Sequence, residues 1–160
     1  MRRTLDAISL AAFVFQFWIT GSALWGAHHL PDKISTHFNL DGQPDGWGSS
    51  ATLLILPAIT VAVYLLFTLL KPRLLEATSY RVEVTDENRA RLEALYLDLL
   101  TWIKTEVVCL FAWIQWNIIE SARLLRLSLS PVALVGGPLV VIFTTVAWYN
   151  LAMRRAGRSD

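Results

Sequence analysis

The chain has 160 residues, 54% of them hydrophobic, with 14 basic against 13 acidic side chains and a formal net charge of +1. Its mean hydropathy of +0.46 excludes an ordinary globular composition, and the near-balanced charge leaves no basic excess for gripping nucleic acid. The solvent this composition fits is the lipid bilayer, and the lone Cys109 rules out an internal disulfide.

The first element is an uncharged run, AISLAAFVFQFWITGSALWGA, over residues 7–27. It meets the roughly 20 residues needed to cross ~30 Å of hydrocarbon. A cleaved signal peptide is the competing reading, with Gly21-Ser22-Ala23 as a loose cleavage site. The run exceeds the usual signal core of ~7 to 15 apolar residues, which favours a span. Ser22 and Gly26 form a small-xxx-small pair that would let a neighbouring helix approach closely.

Residues 28–50 differ in character. The stretch LPDKISTHFNLDGQPDGWGSS carries three aspartates, a histidine, two prolines and three glycines between two apolar runs. Ile34, Thr36, Phe38 and Leu40 alternate with Ser35, His37 and Asn39, which predicts a short extended segment with one apolar face. Asp41-Gly42 and Pro44-Asp45-Gly46 read as two successive turns, with glycine accepting positive φ. Trp47 is an interfacial anchor, and Ser49 or Ser50 caps the helix that follows. The loop is therefore expected to hold a defined shape.

A second span covers residues 51–70, where Pro57 should bend the helix and turn its freed carbonyl towards protein rather than lipid. Residues 71–102 form an inner loop and an amphipathic lead-in. Thr85-Asp86-Glu87 is cap-competent, and Leu92, Leu95, Leu99, Trp102 and Ile103 recur at helical spacing. The third span, 103–120, is short and carries Glu106 and Gln115. Lys104 is expected to snorkel to the headgroups and Glu106 to stay at the interface. Trp113 and Trp116 would form an outer aromatic belt, and Trp148 with Tyr149 an inner one. The fourth span, 131–151, starts at a Ser130 cap with Pro131 at the first helical position, and Gly136-Gly137-Pro138 should bend it.

Charge placement fixes the expected orientation. Arg2, Arg3, Lys71, Arg73, Arg81, Arg89, Arg91, Arg154, Arg155 and Arg158 fall on one side, against Lys33, Arg123 and Arg126 on the other. The positive-inside rule then puts both termini and the central loop in the cytoplasm, which requires an even number of spans. The predicted fold is an all-α membrane protein of four transmembrane helices, one domain over residues 1–160, with an extracytoplasmic loop at 28–50.

That loop also carries a resemblance. Leu30, Pro31, Ile34, His37, Phe38, Asn39, Gly42, Asp45, Gly48 and Ser49 are similar to the loop motif in the short amino-terminal membrane domain of the SdpI-type immunity proteins. Ser35 departs from the pattern, where the family usually has a second proline. The likeness covers about 20 residues and the flanking helices, and the longer relatives have helices this chain lacks. It implies a multi-pass protein of the bacterial inner membrane, in some relatives serving resistance to a secreted toxin or membrane signalling.

Three classes of function compete. The first is a non-enzymatic binding, immunity or signalling module whose loop residues Pro31, Asp32, His37, Asn39, Asp41, Gly42, Asp45, Gly46 and Trp47 meet an extracytoplasmic toxin, peptide or membrane-protein partner. The second is a structural or accessory subunit of a larger assembly, including a homo-oligomer. The third is a metal-dependent enzyme using His28, His29, His37 and Asp45, since imidazole and carboxylate suit zinc and related ions. Their spacing matches no standard zinc or calcium motif, and no nucleophile elbow or phosphate loop is present. No cofactor is expected.

Overall fold

The computed structural model describes residues 1–26, 29–39, 41, 43–80, 82–126, 130 and 132–157. The predicted roles of His28, Gly42 and Pro131, and the positions of Leu40, Arg81 and Arg158, lie outside them. The chain runs α1 (Arg2–Trp25), β1 (Lys33–Phe38), β2 (Pro44–Ser49), a 3-10 turn (Ser50–Leu54), α2 (Ile55–Leu69), α3 (Lys71–Glu76), α4 (Arg89–Leu124), a π turn (Val132–Gly136) and α5 (Gly137–Ala156). It is mostly helical, but the antiparallel pair β1 and β2 departs from the expected all-α fold.

The first predicted run becomes helix from Arg2, earlier than expected, and ends at Trp25. Gly26 therefore lies past the helix and is not a packing position on it. A Cβ there would come within 2.4 Å of the Ser22 carbonyl oxygen, so the glycine permits the chain to leave the helix tightly. The Leu30 amide then donates to the Ala23 carbonyl at 2.7 Å, tying the loop to the end of α1.

Of the two expected caps, Ser49 and Ser50, it is Ser49 that serves, accepting from the Ala51 amide at 3.2 Å, although a 3-10 turn precedes the α-helix. Pro57 falls in the first turn of α2, where a missing N–H is least disruptive. The carbonyl four residues before it, Leu53, accepts from the Gln115 side-chain amide at 3.0 Å. The expectation that this carbonyl faces protein is borne out. At the other end of the chain, Gly136-Gly137-Pro138 coincides with the junction of the π turn and α5, a predicted irregularity that takes the form of a widened turn.

Helix α4 has 36 residues, about 54 Å at 1.5 Å per residue, and merges the predicted lead-in with the short third span. Its start is built by reciprocal bonds between Thr85 and Asn88: the Thr85 amide donates to Asn88 Oδ1 at 2.9 Å and the Asn88 amide to Thr85 Oγ1 at 3.3 Å. Helix α4 is the central element, packed against α1, α2 and α5. Thr105 Oγ1 bonds the Leu5 carbonyl and Gln115 bonds Thr20, so α1 and α4 run parallel. Lys71 meets Thr101 while Leu53 meets Gln115, so α2 runs antiparallel to α4. Thr145 meets Glu106 and Tyr149 meets Trp102, so α5 is antiparallel as well.

The interior mixes small and polar residues with buried leucines and isoleucines, and many large apolar side chains lie on the surface. Ser9, Gln16, Thr20 and Ala23 of α1 are buried, while Ile8, Val14 and Trp18 are exposed. Helix α4 buries Thr101, Lys104, Thr105, Val108, Ala112, Gln115, Ile119 and Ala122, a stripe at three- and four-residue spacing. Polar groups paired between helices beneath an apolar outer surface suit a lipid solvent, in which close packing and interhelical hydrogen bonds hold helices together. Among the described residues two helical stretches, Arg2–Trp25 and Ser50–Leu69, are long and apolar enough to cross a membrane. Their apolar windows are only 28% and 17% buried, unlike the core helix of a soluble protein.

Candidate functional site: the hairpin and the polar face of helix α4

The predicted extended segment is the hairpin β1–β2, with Lys33 opposite Ser49, Ile34 opposite Gly48, Ser35 opposite Trp47, His37 opposite Gly46 and Phe38 opposite Pro44. Pro44-Asp45-Gly46 is the start of a strand, not the second turn expected from its composition. The register shifts on either side of His37, which leaves Asp45 between paired residues. Asp45 carboxylate and His37 Nδ1 are in direct contact there, and both side chains are largely exposed. Gly46 is not in the left-handed region. Its role is close approach: a Cβ would lie 2.7 Å from His37 Cβ, and one on Gly48 would lie 2.9 Å from Thr36 Cγ2.

Asn39 closes the hairpin. Its side-chain oxygen accepts from the Asp41 amide at 3.0 Å and the Gln43 amide at 2.9 Å, while its own amide donates to the Gln43 carbonyl at 2.9 Å. This is the Asx geometry that lets asparagine replace a backbone partner. At the base of the hairpin the Asp32 carbonyl accepts from the Ser50 amide at 2.8 Å. Pro31 and Asp41 are exposed, and Trp47 is 53% exposed.

The hairpin is seated on the helix ends. Leu30 and Ile34 are buried with Ile19, Ala23, Leu53, Ile119 and Ala122 in one apolar cluster. Between the hairpin, the start of α2 and α4 lies a cavity of about 460 Å³, bordered by Ile34, Phe38, Leu56, Ile114 and the polar Ser35 and Gln115. Ser35 Oγ and Gln115 Oε1 are both buried and have no hydrogen-bond partner among the described residues.

Of the predicted metal ligands, His29 Nδ1 faces the Gly26 carbonyl at 3.2 Å, and His37 is held by Asp45. Among the described residues no group of three or more His, Cys, Asp or Glu side chains is placed to hold a metal ion.

A second polar system was not anticipated from the sequence. Lys104, expected to snorkel, is 5% exposed. It pairs with Asp6 and lies over the Tyr64 ring, 5.0 Å from its centroid. Glu106, expected at the interface, turns towards α5 and accepts from Thr145 Oγ1 at 2.6 Å. Arg2 pairs with Asp98, and Lys71 donates to Thr101 Oγ1 at 2.6 Å. Burial holds Lys71 below the ordinary lysine range, with Asp6 opposing that shift. Tyr149 is buried rather than part of an exposed inner belt, while Trp113, Trp116 and Trp148 are exposed as predicted. The signal that could have found this system is the spacing of Thr101, Lys104, Thr105, Val108, Ala112 and Gln115 on one face of α4.

Residues 11–61 match the family described as a domain of unknown function (DUF1648). That region takes in most of α1, the hairpin and the first turns of α2. No curated protein and no solved structure matches the chain.

Proposed function

We propose that the chain is a four-span protein of the bacterial inner membrane, SdpI-like in type, that acts as a non-enzymatic binding or immunity module through its extracytoplasmic hairpin. Both termini are cytoplasmic in this reading. The observation that carries it is the hairpin itself. Ten motif positions resembling the SdpI-type loop fall within or beside it, the domain match covers it, and its exposed face offers His37, Asp45 and Trp47 on a base fixed by buried Leu30 and Ile34. A rigid platform with an exposed aromatic and a histidine held by an aspartate suits recognition of a peptide or protein partner. The alternating directions of α1, α2, α4 and α5 support an even span number.

The test is a photo-crosslinking residue at Trp47 in living cells, compared with one at Leu66 on the apolar outer face of α2. The expected result is a discrete protein or peptide adduct at Trp47 alone, weakened by His37→Ala without loss of protein from the membrane. Identical labelling at both positions would reduce the hairpin to a connector.

A second reading, an accessory subunit of a larger assembly, is favoured by the groove of about 500 Å³ bordered by Trp102, Val140, Val141, Thr144 and Trp148. Its apolar walls suit a partner helix. A stoichiometric partner protein retained in mild detergent and crosslinking to Val141 would select it.

A further inference from the structure

We infer that the cavity beneath the hairpin is a binding site for a single-chain lipid carrying a hydrogen-bond donor, such as a monoacylglycerol or a long-chain alcohol. This deepens the binding reading above and rests on the hairpin end lying in the outer leaflet. Two independent observations carry it. The cavity volume of about 460 Å³ falls in the range of built ligand sites. Taking a methylene as roughly the ~30 Å³ of a water molecule, it holds about fifteen of them, enough for the polar head and most of one chain, whose end extends past the opening, and not for a two-chain phospholipid.

The second observation is chemical. Ser35 is 2% exposed and Gln115 0% exposed, they come from different elements, and both border the cavity with an oxygen that lacks a partner among the described residues. Gln115 Nε2 is already used, donating to Thr20 Oγ1 and the Leu53 carbonyl at 3.0 Å each. Its remaining Oε1 only accepts, so the occupant must bring an O–H or N–H. Ser35 Oγ both donates and accepts, so a hydroxyl bonded to Gln115 or a neighbouring ester oxygen satisfies it. The rim favours entrance from the bilayer. Ile55 is 59% exposed and Ile118 36% exposed beside the opening, apolar surface that an acyl chain covers and a soluble polar ligand does not.

Monopalmitoylglycerol and methyl palmitate, which has a chain of the same length but no donor, would be titrated into the purified full chain in maltoside micelles and retained adducts counted by native mass spectrometry. The expected result is one monopalmitoylglycerol per chain, with methyl palmitate at least tenfold weaker. Ser35→Ala should weaken the first at least tenfold, and Leu66→Ala should alter neither. Because Gln115 also braces the bundle, the ligand pair and Ser35→Ala, not a Gln115 variant, decide the matter. Equal retention of the two esters, or an unchanged monopalmitoylglycerol affinity in Ser35→Ala, would overturn the proposal. So would a crosslinker at Thr36 that captures a polypeptide and no lipid in native membranes. A Trp47 adduct obtained together with equal ester retention would sink this inference and leave the binding reading standing.

Discussion

Single positions in the hairpin do different work from what their residue types suggest. Gly46 serves the close approach of β2 to His37 rather than a left-handed backbone, so the obstacle to a side chain is His37 Cβ, which is fixed to the strand and has no rotamer to escape into. Gly46→Val should cost about 1–3 kcal/mol of overpacking and lower the unfolding midpoint in detergent. Asp45→Asn keeps a hydrogen-bonding group beside His37 and should stay near wild type in the same measurement, while Asp45→Ala loses a charge-assisted bond of about 1.5–3 kcal/mol, discounted because both partners are largely exposed. An inactive but stable Asp45→Asn protein, combined with sensitivity of the wild type to a chelator, would instead favour a metal. Beneath the hairpin, Gln115 of α4 is fully buried. Gln115→Leu leaves the Leu53 carbonyl unpaired where Pro57 offers it no N–H, and should destabilise by about 1–3 kcal/mol, more than the ~0.6 kcal/mol average of an interhelical bond in a membrane. Thermal unfolding followed by circular dichroism reads the difference.

At the scale of elements, α4 organises the chain because its buried face carries polar side chains that reach three neighbouring helices. The pair Asp6–Lys104 ties it to α1, Gln115 ties it to α1 and α2, and Glu106 ties it to α5. The segment between α3 and α4 docks on this frame through Tyr80, which stands edge-on to Tyr96 with ring centroids 6.3 Å apart. Burial, then Glu93 and Tyr96, push the Tyr80 phenol above its ordinary value of 10.0. A folded-state pKa above the unfolded one contributes stability that is fully present below about 10 and declines as pH rises through the folded value. Wild type should therefore lose stability between pH 9 and 11 faster than Tyr80→Phe, measured as the shift in unfolding midpoint. Tyr80→Phe also removes a buried hydroxyl that has no partner among the described residues. An identical alkaline slope in both proteins would refute the assignment.

For the whole molecule, the consequential feature is that the ion pairs joining α1 to α4 lie at one end and the hairpin at the other. Arg2, Asp98, Lys71 and Asp6 surround the start of α1 and the middle of α4, whereas Leu30, Ile34 and Ile119 close the opposite end. The proposed orientation makes a direct prediction. In a Cys109→Ala background, Gln43→Cys should react with an impermeant maleimide in intact cells and Thr78→Cys only after the membrane is opened. Labelling of both from outside would exclude the four-span arrangement.

Composition and pattern alone determined that the chain carries apolar runs long enough to span a bilayer, that the segment beginning at Ile34 is extended, that a serine at 49 or 50 caps a helix and that the Pro57 carbonyl partner must be found within protein. These are local consequences of solvent transfer, backbone dihedrals and missing donors, and they are readable wherever the residues stand. The tertiary structure decided which polar groups meet. Asp6 and Lys104 are 98 residues apart, and Gln115 and Leu53 are 62 apart. Their pairing depends on how each helix is rotated about its axis and how deep it sits, quantities set by packing against several neighbours at once. The same holds for Pro44-Asp45-Gly46, whose residue types suit a turn but whose conformation is strand, because the cross-strand partners Phe38 and His37 and the Asn39-closed loop place the reversal earlier. Turn propensity is a preference of one segment, whereas strand pairing is a property of two.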